Sequence, residues 1–371
     1  MGKPPFDLLR KRGWRGLMAV LLAISPLIGK AEHAALSSIA EWWPAIRKAI
    51  DAHAMARLNK AVRNTAAPDD LLRACWTPAE LRGSAGDRSI QKQASDPSPP
   101  ERISYQKQAL LPEKLGGSIR YVKPRNAEKW VALTFDLCEQ AHEKSGYDAD
   151  LVNYLRDHQV KATFFAGGKW MRSHPVKTMQ LMADPLFEIG NHAWTHGNLR
   201  VLNGPGMYDQ ITWTQAEYEI LREKLLQSKC AARFGEKAAA AIPPALTTFR
   251  FPYGACNAQS LAAVNQTGLV AIQWNIVTGD PVRGQTAQNI ARTVLNQVQP
   301  GSIVVAHANG RGWHTAEALP LIISGLRKQG YRFVTISELL ATGEVFAAES
   351  CYELKPGDNL RYDRLFKAGA P

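Results

Sequence analysis

Val131-Ala132-Leu133-Thr134-Phe135-Asp136 is the stretch on which the fold turns. Five residues without a charge run straight into a carboxylate. A short apolar run of this kind, rich in β-formers, reads as a strand buried on both faces, which is the character of a parallel sheet. The same texture returns along the chain, at Lys161–Phe165, Phe187–Ile189, Thr247–Phe251, Val270–Ile276, Ser302–Ala306 and Arg332–Ile336. Helical spacing fills the intervals, over Asp150–His158, Pro175–Met182, Gln210–Leu226, Gln288–Val298 and Ala316–Lys328. Alternating strand and helix across some two hundred residues predicts a mostly parallel sheet, either a (β/α) barrel or a doubly wound sheet.

Chemistry-bearing residues gather where the apolar runs end. Asp136 closes the first. Asn191-His192-Ala193-Trp194-Thr195-His196 follows the third. Arg250-Phe251-Pro252-Tyr253-Gly254 closes a later one, Trp274 leads toward Asp280, and His307 closes another. In a parallel barrel these ends open on one face, where such folds carry their sites. His192 and His196 stand four apart, so on a helical turn both imidazoles would reach one metal ion. Asp136 adds a carboxylate, and two imidazoles with a carboxylate form a common catalytic zinc set. Singly, each residue has a plainer reading. Asp136 can cap a turn, His307 can be a satisfied core histidine, and Tyr253 and Trp274 can be core aromatics.

Together the motifs resemble the polysaccharide deacetylase family, carbohydrate esterase family four, whose domain is shared with the rhizobial nodulation protein B. The resemblance runs from about Trp130 to Leu340. Thr134-Phe135-Asp136, His192 to His196, Arg250 to Gly254, Trp274 to Asp280 and Val304 to His307 are similar to the family's five motifs, in order. It implies an irregular (β/α) barrel of about seven parallel strands. The implied reaction removes acetyl groups from N-acetylated, or O-acetylated, carbohydrate such as chitooligosaccharide or peptidoglycan. Asp136 would be the general base, oriented by Arg250. His307 would be the general acid, with Asp280 tuning its neighbours. His192 and His196 would hold a divalent metal, most often zinc. The backbone N–H of Tyr253 would stabilise the oxyanion, and Tyr253 and Trp274 would line the substrate site beside Trp194 and Trp313.

Two positions depart from the family. A second Asp usually follows the base and binds the metal, but Leu137 stands there. Glu139 can substitute if the loop bends back; alternatively Asp136 binds the metal itself, or a water fills the position. Val277 stands where the fourth motif often has an Asp. A site weakened in this way also fits a non-catalytic glycan-binding or envelope-structural protein on a deacetylase scaffold. A different amide substrate is a further possibility.

The flanks complete the expectation. Residues 1–31 hold six Lys/Arg and one Asp, a net +5 that leaves +7 of the chain's +12 for the body. Arg10, Lys11, Arg12 and Arg15 precede a mostly apolar run from Gly16 to Gly29, too short to span a membrane comfortably. With Ala31 offering a cleavage point, 1–31 reads as a signal peptide, or alternatively as an uncleaved signal anchor, which would be the only membrane contact expected; either places the body as periplasmic or extracellular. Residues 32–125 read as a helical extension and linker, with Trp42 and Trp43 on a helix and a Pro/Ser-rich strap over Ser84–Pro100. Residues 126–342 form the main domain and 343–371 a tail. No zinc-finger spacing or aromatic-basic ribonucleoprotein motif is present, so a carbohydrate rather than a nucleic acid is the expected partner. Five cysteines leave at least one free. Cys138 with Cys256, and Cys75 with Cys351, are the pairings considered, against buried free thiols.

Overall fold

The computed structural model describes residues 69–92, 96–104, 111–126 and 128–367. The export segment, the helices expected over 32–65 and the Trp42/Trp43 pair lie outside the described residues. No described helix is long and apolar enough to cross a membrane.

Seven parallel strands form the frame: β2 (Trp130–Leu137), β3 (Ala162–Ala166), β4 (Phe187–Asn191), β5 (Thr248–Phe249), β6 (Val270–Ala271), β7 (Ile276–Val277) and β8 (Ser302–His307). β1 (Ser118–Pro124) precedes them, and β9 (Arg332–Phe333) and β10 (Gly343–Ala348) follow. The order is β10-β1-β8-β2-β3-β4-β5-β6, with β7 on β8 and β9 on β2. The far edge curls back. Ile119 of β1 bridges Ile272 just past β6, and Gln273 N–H donates to the Ile119 carbonyl at 2.8 Å. The result is an irregular barrel, the architecture that the family resemblance implies and one of the two that the alternating pattern allows. Its least regular arc is where β5, β6 and β7 shrink to two residues each.

Strand periodicity decides what reaches the site. Val131, Leu133, Phe135 and Leu137 point outward into a core shared with Leu151, Leu155, Ala318 and Ile322 of the covering helices. Ala132 points inward, beside Phe165, Ile303 and Val305. Asp136 shares that inward parity and lies level with His307, its partner in the β2–β8 register. The base and acid of the sequence reading therefore end neighbouring strands on the same rung.

Two expectations about the flanks change. Residues after 342 do not form a tail. β10 pairs antiparallel with β1 from Ser118–Ala348 to Pro124–Gly343, adding two strands that the local sequence pattern did not announce. β1 itself is admitted to β8 by Gly301, at φ +84°, where a Cβ would lie 1.5 Å from the Val122 carbonyl oxygen. Beyond β10 the chain crosses the barrel. Arg120 donates to the carbonyls of Tyr352 (2.6 Å) and Glu353 (2.9 Å), Arg200 pairs with Asp363 at 2.9 Å, and Asn359 donates to Gly254 O. The Pro/Ser-rich strap is likewise fixed: Trp194 Nε1 donates to Pro97 O at 2.8 Å and Arg172 to Ser98 O at 2.7 Å.

The disulfides also differ from the pairings considered. Cys75 joins Cys230, and Cys256 joins Cys351, leaving Cys138 free and buried. The first ties the helix Asp69–Cys75 to the helix Lys229–Ala232. The second ties the loop after Gly254 to the crossing segment. Cys138 faces inward and Cys75 lies remote from the crossing segment, which is why neither considered pair forms. Each bridge closes a long loop, of 155 and 95 residues. Replacing Cys256 and Cys351 together by Ser should lower the unfolding free energy by about 2–4 kcal/mol, read from urea unfolding.

Candidate active site and metal centre

Arg250 leaves β5 and turns into the barrel, fully buried. Its Nη1 donates to Asp136 Oδ1 at 2.9 Å and to Thr134 Oγ1 at 2.7 Å, and Nη2 reaches the Gln273 carbonyl at 3.3 Å. Thr134 passes its own proton to Val304 O at 2.6 Å. Arg250 is thus fixed by the Ile272 and Gln273 carbonyls and by Thr134, and it fixes Asp136 in turn. Burial opposes ionisation of Asp136, but the charge and hydrogen bond of Arg250, together with its histidine neighbours, outweigh it and hold the carboxyl below its ordinary value. Its other oxygen, Oδ2, lies 3.6 Å from His192 Nε2.

His192 is oriented by the same arginine. Its Nδ1 lies 2.9 Å from the Arg250 carbonyl oxygen, which can only accept, so Nδ1 carries the proton. Nε2 is then a bare lone pair, buried and without a hydrogen-bond partner. A buried imidazole held this way is the arrangement found in metal ligands. His196 lies beside it, ring centroids 4.9 Å apart. Burial, followed by His192, His307 and Arg311, pushes His196 well below the ordinary histidine value, so it too stays neutral.

The histidine pair does not lie on a helical turn. Ala193 and His196 both take positive φ, 63° and 58°, and curl the segment into a loop. Gln210 holds that loop by accepting from the N–H groups of Thr195 (3.0 Å) and Gly197 (3.2 Å). The two imidazoles meet through loop curvature rather than helical spacing.

The third position changes occupant. Glu139 does not join the histidines: Lys169 Nζ takes its carboxylate at 2.7 Å, Ser145 N–H at 2.9 Å, and the Ser173 hydroxyl also donates to it. With Lys169 and Glu139 both fully buried, this is a structural ion pair. Cys138 occupies the inward position instead. Its Sγ and one nitrogen from each of His192 and His196 all lie within 4.8 Å of one another. Sequence reasoning missed Cys138 by treating it as a disulfide candidate. The available signal was strand parity, since Leu137 must face the helices while residues 136 and 138 face the site. Asn309 Nδ2 lies 3.0 Å from Cys138 Sγ and 2.7 Å from its carbonyl oxygen.

His307 has its Nδ1 2.9 Å from Asp280 Oδ1, and its backbone N–H donates to Oδ2 at 2.7 Å. Thr278 and Thr315 hydroxyls complete the hold on Asp280, at 3.0 and 2.8 Å. Val277 therefore leaves no gap here, because Asp280 is the carboxylate that engages the histidine. Burial alone would lower His307, but the Asp280 charge and hydrogen bond raise it above the ordinary value.

The aromatics separate. Tyr253 sits in a turn at φ 60°, its ring 4.4 Å from His196 and backed at 4.9 Å by both Tyr362 and Phe366. Trp274 is buried, donating to Glu353 O at 3.1 Å beneath the crossing segment, so it packs the barrel rather than facing substrate. Trp194 lies under the Pro/Ser-rich strap and Arg172. Trp313 is half-buried against Arg283.

Residues 123–272 match the family model described as polysaccharide deacetylase. A peptidoglycan-N-acetylglucosamine deacetylase of Bacillus cereus is 30% identical over 227 residues, covering 60% of this chain and 93% of that protein. The chain belongs to the polysaccharide deacetylase family. The peptidoglycan-N-acetylglucosamine deacetylase PgdA of Listeria monocytogenes is 28% identical over 262 residues, covering 71% of this chain. The chain spans about half of that longer relative, 48% of its length. Among solved structures, a family-four pseudoenzyme from Bacillus anthracis is 25% identical, with a TM-score of 0.48 over 61% of this chain and 69% of that one.

Asp280→Asn tests the electrostatics of this deacetylase-family site directly. With the charge gone, the His307 ring should titrate at lower pH in NMR spectra. The wild-type pair contributes stability in full below the ordinary histidine value of 6.5, and loses it as pH rises through the raised value. That pH-dependent increment should vanish from the unfolding curves of the variant.

Proposed function

We propose that the protein is an exported, metal-dependent deacetylase of N-acetylated envelope carbohydrate. The observation that carries this reading is the convergence, on one barrel end, of the Arg250-held Asp136 carboxylate, the Asp280-held His307 and the paired imidazoles of His192 and His196. The metal would be held by His192, His196 and Cys138. The orphaned, buried His192 Nε2 supports that fit. When bound, a divalent cation polarises the acyl carbonyl and acidifies water.

The chain's own residues supply the rest. Asp136 stays ionised because Arg250 holds Oδ1, which leaves Oδ2 to take a proton from water. His307 has its Nδ1 committed to Asp280, so Nε2 is the nitrogen that can hand a proton to the departing amine. The Asp280 carboxylate, outweighing burial, favours the protonated ring and so supports His307 as the proton donor. The left-handed turn at Tyr253, beside His196, supports its backbone N–H as the oxyanion donor. Two disulfides support an oxidising, exported location. The deacetylases named among the relatives act on peptidoglycan N-acetylglucosamine and on chitooligosaccharide, which supports N-acetylglucosamine polymers as the substrate class.

The test is acetate release from N-acetylglucosamine oligomers and peptidoglycan. Asp136→Asn and His307→Ala should each lose about 10²–10⁴-fold in turnover, and His192→Ala should be inactive. In Asp280→Asn the alkaline limb of kcat/KM should move to lower pH. Stoichiometric metal with no acetate released from any such glycan would instead favour a glycan-binding scaffold.

A further inference from the structure

We propose that Cys138 is a metal-ligating thiolate, so that the centre is a two-histidine, one-cysteine site selecting zinc and cobalt(II) over magnesium, calcium and manganese. The proposal rests on the metal-dependent reading above but concerns the donor set, not turnover.

Four observations carry it. Cys138 Sγ shares a sphere under 4.8 Å with a nitrogen from each of His192 and His196, and no other group of three such donors is found among the described residues. Glu139, the nearest alternative carboxylate in sequence, is consumed by Lys169, Ser145 and Ser173. Asp136 has one oxygen fixed on Arg250. His192 Nε2 is buried, with 1% of the residue exposed, and it lacks a hydrogen-bond partner. A disulfide does not account for Cys138, because the other four cysteines are paired with each other. Burial of a lone thiol as a small apolar residue does not account for two imidazole nitrogens gathered within 4.8 Å of it.

A thiolate changes the selectivity of such a site. Sulfur is a soft donor, and with two imidazoles it suits zinc and cobalt(II), whereas magnesium, calcium and manganese prefer carboxylate and carbonyl oxygen. Coordination replaces the S–H bond with a sulfur–metal bond and releases one proton to solvent, so charge and atoms balance. Asn309 Nδ2, 3.0 Å from the sulfur, would donate to the thiolate and fix its direction. Asp136 is then spared from ligation and remains available as the base.

The experiment is cobalt(II) titration of the metal-stripped full chain, followed by absorption spectroscopy, with bound metal measured by elemental analysis. Wild type should bind one cobalt per chain and show the intense near-ultraviolet band of thiolate-to-cobalt charge transfer. The chain's single free thiol should become resistant to alkylation as cobalt binds. Cys138→Ser should lose the band and bind cobalt far more weakly, and Asn309→Ala should bind it about tenfold more weakly. Cys138→Asp should bind without the band and gain manganese at the expense of zinc. Far-ultraviolet circular dichroism checks that each variant is folded. One cobalt per chain without the band, or undiminished binding and an undiminished band in folded Cys138→Ser, would overturn the proposal, as would no metal binding at all. Cobalt bound through sulfur with no acetate release would overturn the deacetylase reading and leave this one standing. Acetate release with metal bound but no sulfur signature would do the reverse.

Discussion

The buried guanidinium of Arg250 is the constraint around which this molecule is organised. An arginine with no exposed surface is costly unless every donor is met. Here it is met by Asp136, Thr134 and the carbonyls past β6, which come from opposite sides of the barrel. The ion pair therefore staples the short, irregular arc of β5 and β6 to the long, regular strand β2. The same residue's carbonyl fixes the tautomer of His192. One side chain thus favours the ionised Asp136 carboxylate, and its own peptide unit sets the lone pair of a candidate metal ligand.

Much of the frame was legible because β2, β3 and β8 are buried on both faces and carry mostly apolar runs. The legibility failed where local pattern and tertiary structure separate. Thr247–Phe251 and Val270–Ile276 read as full strands, yet the first keeps only the two residues of β5, and the second divides between β6 and the start of β7 where the arc bends. β1 carries Arg120 and Lys123 among apolar residues, and its partner β10 lies more than two hundred positions away, so neither announces itself locally. The crossing segment after β10 is polar and reads as a tail. It holds its place through backbone carbonyls, the Arg200–Asp363 pair, the rings of Tyr362 and Phe366 and one disulfide rather than through a continuous apolar stripe.

The site was legible as a list and less so as an arrangement. Asp136 meets Arg250, His307 meets Asp280, and the two pairs lie side by side, because each residue ends a strand or follows one closely. The histidine pair was found for an incomplete reason: four-residue spacing suggested a helix, while two left-handed residues make a loop. Glu139 looked available because a carboxylate two residues past the strand is chemically suitable. What sequence proximity could not show is Lys169, thirty residues on, waiting in the core. Trp274 was read as a substrate contact through its place near a strand end, but Glu353 and Arg120 cover it.

The disulfide between Cys256 and Cys351 has a consequence for biogenesis. Every strand of the barrel is synthesised before Cys351 emerges. The wall behind Tyr253, built from Tyr362 and Phe366, is therefore among the last parts of the described chain to be laid down. A polypeptide interrupted shortly after β8 would hold all the residues proposed for chemistry, yet lack the backing for the turn at Tyr253 and the cover over Trp274. Completion of the active-site wall is in this sense a report on completion of translation. An unpaired Cys256, left reactive on an interrupted chain, would mark that chain for the thiol-dependent quality control of an oxidising compartment.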